Sequence, residues 1–516
     1  MTLQSFGHPL NTLNNGVIAF AENIRSTPRM SMNISVCVQN GMAKVVMSRS
    51  FENQEEAPIE AILTFPVSFQ AVITSLKAKI DGVELTAKAR LRDEARTAYE
   101  DAIDRGKLAV LHEEPLRGLH LISIAPLRSK QTVVVVAEYM MPLANINSMA
   151  TLHIPTTVGE LYGNSPLLPV DDIAVGNNAL RKATLEIDAL CGKTLIHGAL
   201  VGHGPLEIDL NRQIILSFPD AIFGKLNGYD AWGRRVAVTL EKEQKSTRPL
   251  NLIVLFDRSG STGTHIDKDG STVWSCMRNG LRKSLQCLSE SDAVSLWQFD
   301  SSCQKIGSAK GAKSAELVDG IEIPKGGTEL GAAIQQIKNE RNAKDILILT
   351  DGQTWAVEAQ SIAAMGYRIS AVLVGEDSFE GVIGQLAFMT GGEVFPGDGG
   401  DVAPAISSAL QSLRTNSASV EGRIVDGKPT VLRTKRAGVA MSISWGDELS
   451  SELCDQVGGY AAAIALPLIE GEKAGDYAAS HNLCTHLTSL LLIDEEGKTT
   501  PGIPELSVVR WFGTFF

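Results

Sequence analysis

The segment Asn251 to Phe256, NLIVLF, constrains this chain more than any other. After Asn251 it has no polar face, and an extended segment of that kind must be covered on both sides, as a central strand of a parallel sheet is. Beyond it the chain alternates between helix-like and strand-like segments. Val273, Met277, Leu281, Leu285 and Leu288 recur at helical spacing, AVSLWQF (Ala293 to Phe299) reads as a strand, and a helix is expected over about 330–338. The strand DILILT (Asp345 to Thr350), a helix near 356–365, the strand RISAVLV (Arg368 to Val374) and a last helix bearing Val402, Ile406, Leu410 and Leu413 complete the series. This alternation predicts a doubly wound, Rossmann-like α/β domain over residues 249–414.

The remainder is β-rich, and 516 residues are too many for one core, so the chain is multidomain. After an N-terminal extension (1–30), residues 31–143 read as a mostly-β domain. ISVCV and AKVVMSR flank Asn40-Gly41, a strong hairpin signal, and IEAILTF and TVVVVAEY continue the sheet. One helix interrupts them, with Ala95, Ala98, Tyr99, Ala102 and Ile103 on one face and Gly106 at its C-terminal cap. Residues 144–246 show short strands (TLEIDAL, QIILSF), and EKEQKSTRP forms a polar linker. Residues 416–516 return to strands (SVEGRIV, PTVLRT, AMSISW, SLLLID) around one helix expected over about 460–480. The two flanking β segments are expected to pack as halves of one body into which the α/β domain is inserted.

Composition narrows the function classes. A formal net charge of -12 excludes nucleic acid as the expected partner, because phosphate binding is carried by Lys and Arg, and it mildly favours divalent cations. Seven scattered cysteines with no CxxC pair suit neither a disulfide framework nor a zinc site, and fit a reducing compartment. The N-terminus lacks the pattern of a secretion signal, and no apolar run reaches the ~18 residues of a membrane span. The expected location is cytoplasmic.

In an open parallel sheet, ligands bind beyond the carboxyl ends of the strands. There the first strand ends in Asp257-Arg258-Ser259-Gly260-Ser261, another connection carries Gly326-Gly327-Thr328, and DILILT runs into Asp351-Gly352. Two carboxylates and three hydroxyls thus meet at one sheet edge. They are hard oxygen ligands, suited to Mg²⁺ or Mn²⁺, and so few acids would leave the ion net positive with a position open for an incoming Asp or Glu.

DRSGS, the Thr of GGTEL and the Asp of LTDGQ resemble the three parts of the metal ion-dependent adhesion site of von Willebrand factor A domains, over roughly residues 249–413. The resemblance implies that Ser259, Ser261 and Thr328 bind metal directly, while Asp257 and Asp351 act through water or hydrogen bonds. The segment 31–143 resembles the VIT domain of inter-alpha-trypsin inhibitor heavy chains and a vault-associated protein. It does so through Pro58-Ile59-Glu60-Ala61, Phe65-Pro66, Glu94-Ala95-Arg96 with Tyr99-Glu100, Gly106-Lys107, Glu113-Glu114-Pro115 and Ile124 with Pro126. HNLCTHLTSLLLID is similar to the closing segment of bacterial proteins of this type. Many such relatives carry a signal peptide or membrane anchor, which this chain does not show, nor does it show the Asp-Pro processing site of the inhibitor heavy chains.

Other signals carry less. Cys191-Gly192-Lys193-Thr194 and Gly497-Lys498-Thr499 lack the upstream glycine of a phosphate-binding loop, Ile187 and Leu492 standing there. Asp267-Lys268-Asp269-Gly270 lacks the closing Glu of a calcium loop. Asp267, Asp269 and Trp355 are candidate partner-binding residues on the rim of the metal site. The histidines form no sequence motif, and none is expected beside the ligand loops. The expectation is a non-enzymatic scaffold or adhesion protein that grips an acidic residue of a partner, or of another copy of itself, through Mg²⁺ or Mn²⁺. A AAA+ ATPase partner is compatible with the resemblance. The rival is a metal-dependent hydrolase, which would need a nucleophile or base that the motifs do not offer.

Overall fold

A computed structural model describes residues 29–509 except 157–160, 162–181, 190–191, 267–269, 341–342, 355–357, 447–452, 503–504 and positions 203, 211, 377, 398, 455 and 501. The apolar run becomes β1 (Asn251–Asp257), at the interior of a six-stranded sheet. The others are β2 (Ala293–Phe299), β3 (Cys303–Lys310), β4 (Asp345–Thr350), β5 (Arg368–Val374) and β6 (Val394–Gly397), in the order β3-β2-β1-β4-β5-β6. All pairings are parallel except that of the edge strand β3. The reversal of order at β1 leaves a crevice at its carboxyl end.

Alternation along β1 explains why it tolerates no polar residue. Leu252, Val254 and Phe256 enter one core with Val273, Met277, Leu281 and Leu285 of the helix Val273–Leu285 and with Ile406 and Leu410 of Ala403–Leu413. Ile253 and Leu255 enter the opposite core, beside Leu330, Ile334, Ile383 and Leu386. Each such side chain contributes about 1.5–3 kcal/mol on burial, so a charge at Val254 would cost most of the sheet's central anchorage.

Two strands and an α-helix of this domain lay outside the sequence expectation, β3, β6 and Glu380–Thr390, as did the 3₁₀ helix Gly311–Gly320. CQKIGSAK of β3 is a partly exposed edge strand with no apolar face to betray it. The helix EGVIGQLAFMT contains Gly381 and Gly384, each lowering helix propensity by about 1 kcal/mol. Both glycines have a tertiary reason, found where this helix meets the N-terminal body.

The N-terminal body packs three sheets around one core, the third being five-stranded (Ala144–Ile146, Met149–Ile154, Ile214–Phe218, Leu195–Ile196 and Ala199–Leu200). The first runs, in spatial order, through Leu206–Asp209, Lys182–Ala189, Arg29–Gln39, Met42–Glu52, Thr132–Pro142, Val72–Ile80 and Val83–Thr86. Asn40 and Gly41 make the expected tight turn at φ 50° and 81°. The second sheet runs through Glu505–Val509, Ile59–Pro66, Leu119–Leu127, Ala109–Leu116, Thr488–Ile493 and Lys88–Leu91. The helix Arg92–Asp104 buries Ala95, Tyr99 and Ala102 as its spacing required.

This arrangement revises the expected organisation. Strand pairing begins at Arg29, inside the expected extension; residues 1–28 lie outside the described ones. The flanking segments pack together only in part: Lys225–Tyr229 and Arg235–Lys242 join Val439–Trp445, Lys428–Arg436 and Glu421–Val425 in one sheet. The rest of both segments completes the N-terminal body, with Leu490 and Leu492 in its core and Lys182–Ala189 paired to Arg29–Gln39. In place of one helix over 460–480 there are two, Val457–Ala465 and Lys473–Ser480. Between them come a short 3₁₀ turn containing Pro467, which cannot continue a helix, and Gly471 at φ 58°.

Candidate metal centre

The carboxyl end of β1 delivers Asp257 into the crevice, fully buried. Its Oδ1 accepts from the Ser259 backbone N–H at 2.8 Å, which turns the loop at once, and its Oδ2 accepts from Thr350 Oγ1 at 2.6 Å. Ser259 and Ser261 then present their hydroxyls together, Oγ to Oγ 3.2 Å apart. The parallel register pairs Phe256 with Leu349, so Thr350 stands beside Asp257 and Asp351 follows at the same sheet end, near enough for its charge to act on Asp257.

The second loop is sewn to the other two through the backbone. Gly260 N–H donates to Gly326 O at 3.0 Å, Lys325 N–H to Arg258 O at 2.8 Å, and Thr354 Oγ1 to Thr328 O at 3.1 Å. Arg258 pairs with Asp300 and Glu322, each at 2.7 Å, and so holds the first loop to the turn after β2 and the segment preceding Gly326. Gly352, at φ 74°, packs so tightly that a Cβ would lie 2.5 Å from Phe379 O. The ligand loops are therefore rigidly seated.

The five expected residues Asp257, Ser259, Ser261, Thr328 and Asp351 thus lie on three loops joined at one sheet end. Thr328 is only 4% exposed, and its Oγ1 is buried with no hydrogen-bond partner among the described residues. Burial, reinforced by the Asp351 carboxylate, pushes the Asp257 carboxyl up to about 7. Two acids that resist simultaneous ionisation, two neighbouring serine hydroxyls and an orphaned buried hydroxyl fit a hard divalent cation, which would relieve the repulsion and satisfy Thr328. Thr350, which fixes Asp257, was missed by the motif; a polar residue closing an otherwise apolar strand was the available signal. Trp355, Asp267 and Asp269 lie outside the described residues. His265 does stand four residues beyond Ser261, contrary to expectation, but it turns Nδ1 to its own loop, 3.2 Å from Gly270 O.

The fold also gathers histidines that the sequence had left isolated. His112, His120 and Cys484 bring a ring nitrogen each and the thiol within 4.8 Å of one another. His112 Nε2 and His120 Nδ1 are 3.1 Å apart, a hydrogen bond between neutral rings, and burial drives both pKa values down, with Arg49 adding to the effect. The Arg49 guanidinium, 1% exposed, stacks 3.9 Å from the Phe65 ring that also contacts both histidines. A buried cation at that spot disfavours a second one.

Comparison with known proteins agrees with the two-part reading. Residues 29–139 match the VIT family, described as Vault protein inter-alpha-trypsin domain. The rat (Rattus norvegicus) von Willebrand factor A domain-containing protein 5A is 28% identical over 144 residues, which are 27% of this chain and 17% of that protein. The mouse (Mus musculus) protein mono-ADP-ribosyltransferase PARP4 is 28% identical over 131 residues, 25% of this chain and 7% of that one. These matches span under a fifth of the relatives' length. Among solved structures, manganese-loaded Plasmodium vivax TRAP overlaps 43% of this chain and 98% of its own, at 17% identity and a TM-score of 0.25. BatB from Bacteroides thetaiotaomicron overlaps 31% and 95%, at 18% identity and a TM-score of 0.27. Overlaps that loose decide nothing, and the α/β domain is recognised by its strand order and its three ligand loops. The chain is a protein with a VIT domain and a von Willebrand factor A domain.

Proposed function

We propose that this protein is a divalent-cation-dependent protein-binding scaffold whose A domain grips an acidic side chain of a partner. The observation that carries the reading is that the loops bearing Asp257, Ser259 and Ser261, Thr328, and Asp351 are joined at one sheet end, Thr328 Oγ1 being buried and unsatisfied among the described residues. Ser259, Ser261 and Thr328 would hold Mg²⁺ or Mn²⁺, and a bound ion supplies an electrophilic position for a carboxylate. Asp257 orients the first loop through the Ser259 N–H and Thr350, while Arg258, committed to Asp300 and Glu322, keeps its charge turned to those partners.

The chain's acidic balance makes another copy of itself a ready source of the carboxylate, so self-assembly belongs to the proposal. A reducing, cytoplasmic setting accords with the scattered cysteines, seven in number and without a CxxC pair. Among the described residues no helix is long and apolar enough to cross a membrane. Hydrolysis is disfavoured because the serine hydroxyls would be taken up as ligands and His265, the histidine that follows the first loop, turns Nδ1 to Gly270 O.

The test is a pull-down from native lysate with wild type and Asp257→Ala, each with Mg²⁺ or EDTA. A partner, or the protein itself, held only by wild type with Mg²⁺ supports the proposal; equal capture in all four conditions refutes it.

A further inference from the structure

Gly375, Glu376 and Phe379, which follow β5, support the third ligand loop directly. Phe379 N–H donates to Asp351 O at 3.2 Å, and Gly352 is seated against Phe379 O. A Cβ on Gly375 would lie 4.0 Å from that of Asp351. Any shift of these residues therefore moves Asp351.

These residues are gripped from outside the α/β domain. Glu380, buried at the head of the helix Glu380–Thr390, accepts at Oε2 from Ser68 Oγ and from the Phe69 N–H, both at 2.8 Å. Its Oε1 pairs with His153 Nδ1 at 2.8 Å. On the other flank, Glu376 accepts from the Gln213 N–H at 3.0 Å and Arg212 Nε at 3.1 Å, and Gln213 Nε2 donates to Gly375 O at 3.2 Å. Gln213 also hydrogen-bonds His153, closing the network. The two glycines that concealed this helix in the sequence now have their reason: a Cβ at Gly384 would lie 2.5 Å from the Phe69 ring, and one at Gly381 2.8 Å from Arg117 O. The VIT body approaches as closely as backbone permits.

We propose that Glu380 is a positioning residue for the metal centre: by tying Phe379 and its own helix end to Ser68 and Phe69 of the VIT domain and to His153, it sets where Asp351 stands and so how tightly the ion is held. The proposal rests on the metal-binding reading of the crevice. It makes the VIT domain part of the metal centre's mechanism, although it contributes no ligand, in the way that outer-shell hydrogen bonds tune metal sites elsewhere.

The experiment is a Mn²⁺ titration of the full chain followed by electron paramagnetic resonance, with thermal unfolding measured alongside, for wild type, Glu380→Ala, Glu380→Gln and Ser68→Ala. Loss of an outer-shell partner weakens metal binding about 10-fold or more, which is expected for Glu380→Ala together with an altered spectrum of the bound ion. Glu380→Gln should recover much of the affinity, because its amide oxygen still accepts from Ser68 and Phe69, and Ser68→Ala should fall between Glu380→Gln and Glu380→Ala. Should Glu380→Ala not fold, the other two variants decide. A lowered melting temperature with unchanged Mn²⁺ affinity and spectrum would overturn the role of Glu380 and leave the metal reading intact. Failure of wild type to bind Mn²⁺ would remove both.

Discussion

Replacing Thr328 by valine should stabilise the protein without metal, and metal should diminish or reverse that gain. Thr328 Oγ1 is buried and makes no hydrogen bond among the described residues, while the backbone oxygen of the same residue is held by Thr354. An unsatisfied buried hydroxyl costs about 1–3 kcal/mol, and a methyl of similar size removes that penalty without changing the branched shape. In EDTA, Thr328→Val should therefore gain about 1–2 kcal/mol. In saturating Mg²⁺ the variant lacks a ligand, and a loss of roughly 10–100-fold in ion affinity corresponds to about 1.4–2.7 kcal/mol of lost stabilisation relative to wild type. A domain of this size shifts its melting temperature by about 2–4 °C per kcal/mol. Because the apo gain persists and the lost metal stabilisation is subtracted from it, calorimetry of the full chain should show the variant's lead in melting temperature in EDTA shrinking or reversing in Mg²⁺, for the transition assigned to the α/β domain. A variant less stable than wild type by the same margin in both conditions would refute the reasoning, because the hydroxyl would then have a structural partner and no metal role.

Other outcomes stem from the packing. For His153, burial lowers the pKa but the hydrogen bond and charge of Glu380 more than reverse it, and Glu380 in turn is held below the usual carboxylate range despite its burial. The histidine's contribution is complete below about pH 6.5 and lost as pH rises through its raised value; that of Glu380 is complete above about pH 4.5 and lost as pH falls through its lowered one. His153→Gln should accordingly destabilise most between those limits and less at alkaline pH, measured by urea denaturation across pH. Gly384→Ala should cost about 1–3 kcal/mol by forcing Phe69 aside, seen as a lower melting temperature and faster proteolysis between the two domains. Truncation before Thr488 should prevent the VIT body from folding, because Thr488–Ile493 fills the place between Ala109–Leu116 and Lys88–Leu91; a soluble, protease-resistant truncated chain would contradict this.

Much of the candidate site's placement was legible because its residues are local to strand ends. DRSGS, GGT and TDG each sit within a few residues of a strand end, and the apolar strands announce where those ends fall. A strand buried on both faces cannot hide its composition, and helices such as Val273–Leu285 carry their buried face as a repeat. The five ligand candidates needed only strand order to bring them together. Thr350 escaped because a hydroxyl serving a carboxylate has no pattern of its own.

What the tertiary structure alone decided depends on partners far away in the chain. The helix Glu380–Thr390 is unreadable from propensity because Gly381 and Gly384 answer to Phe69 and Arg117, and Ser68 lies 312 residues from the glutamate it holds. Thr488–Ile493 reads as a strand anywhere, yet nothing local says that its neighbours are Lys88–Leu91 and Ala109–Leu116. The same holds for Cys484, which joins the hairpin pair His112 and His120 only when the segment leading into that strand docks. Periodicity and turn chemistry are written in neighbouring residues and determine elements and their ends. Which elements touch is settled by burial of surfaces whose complement lies hundreds of residues away, and that information appears only when the chain has folded.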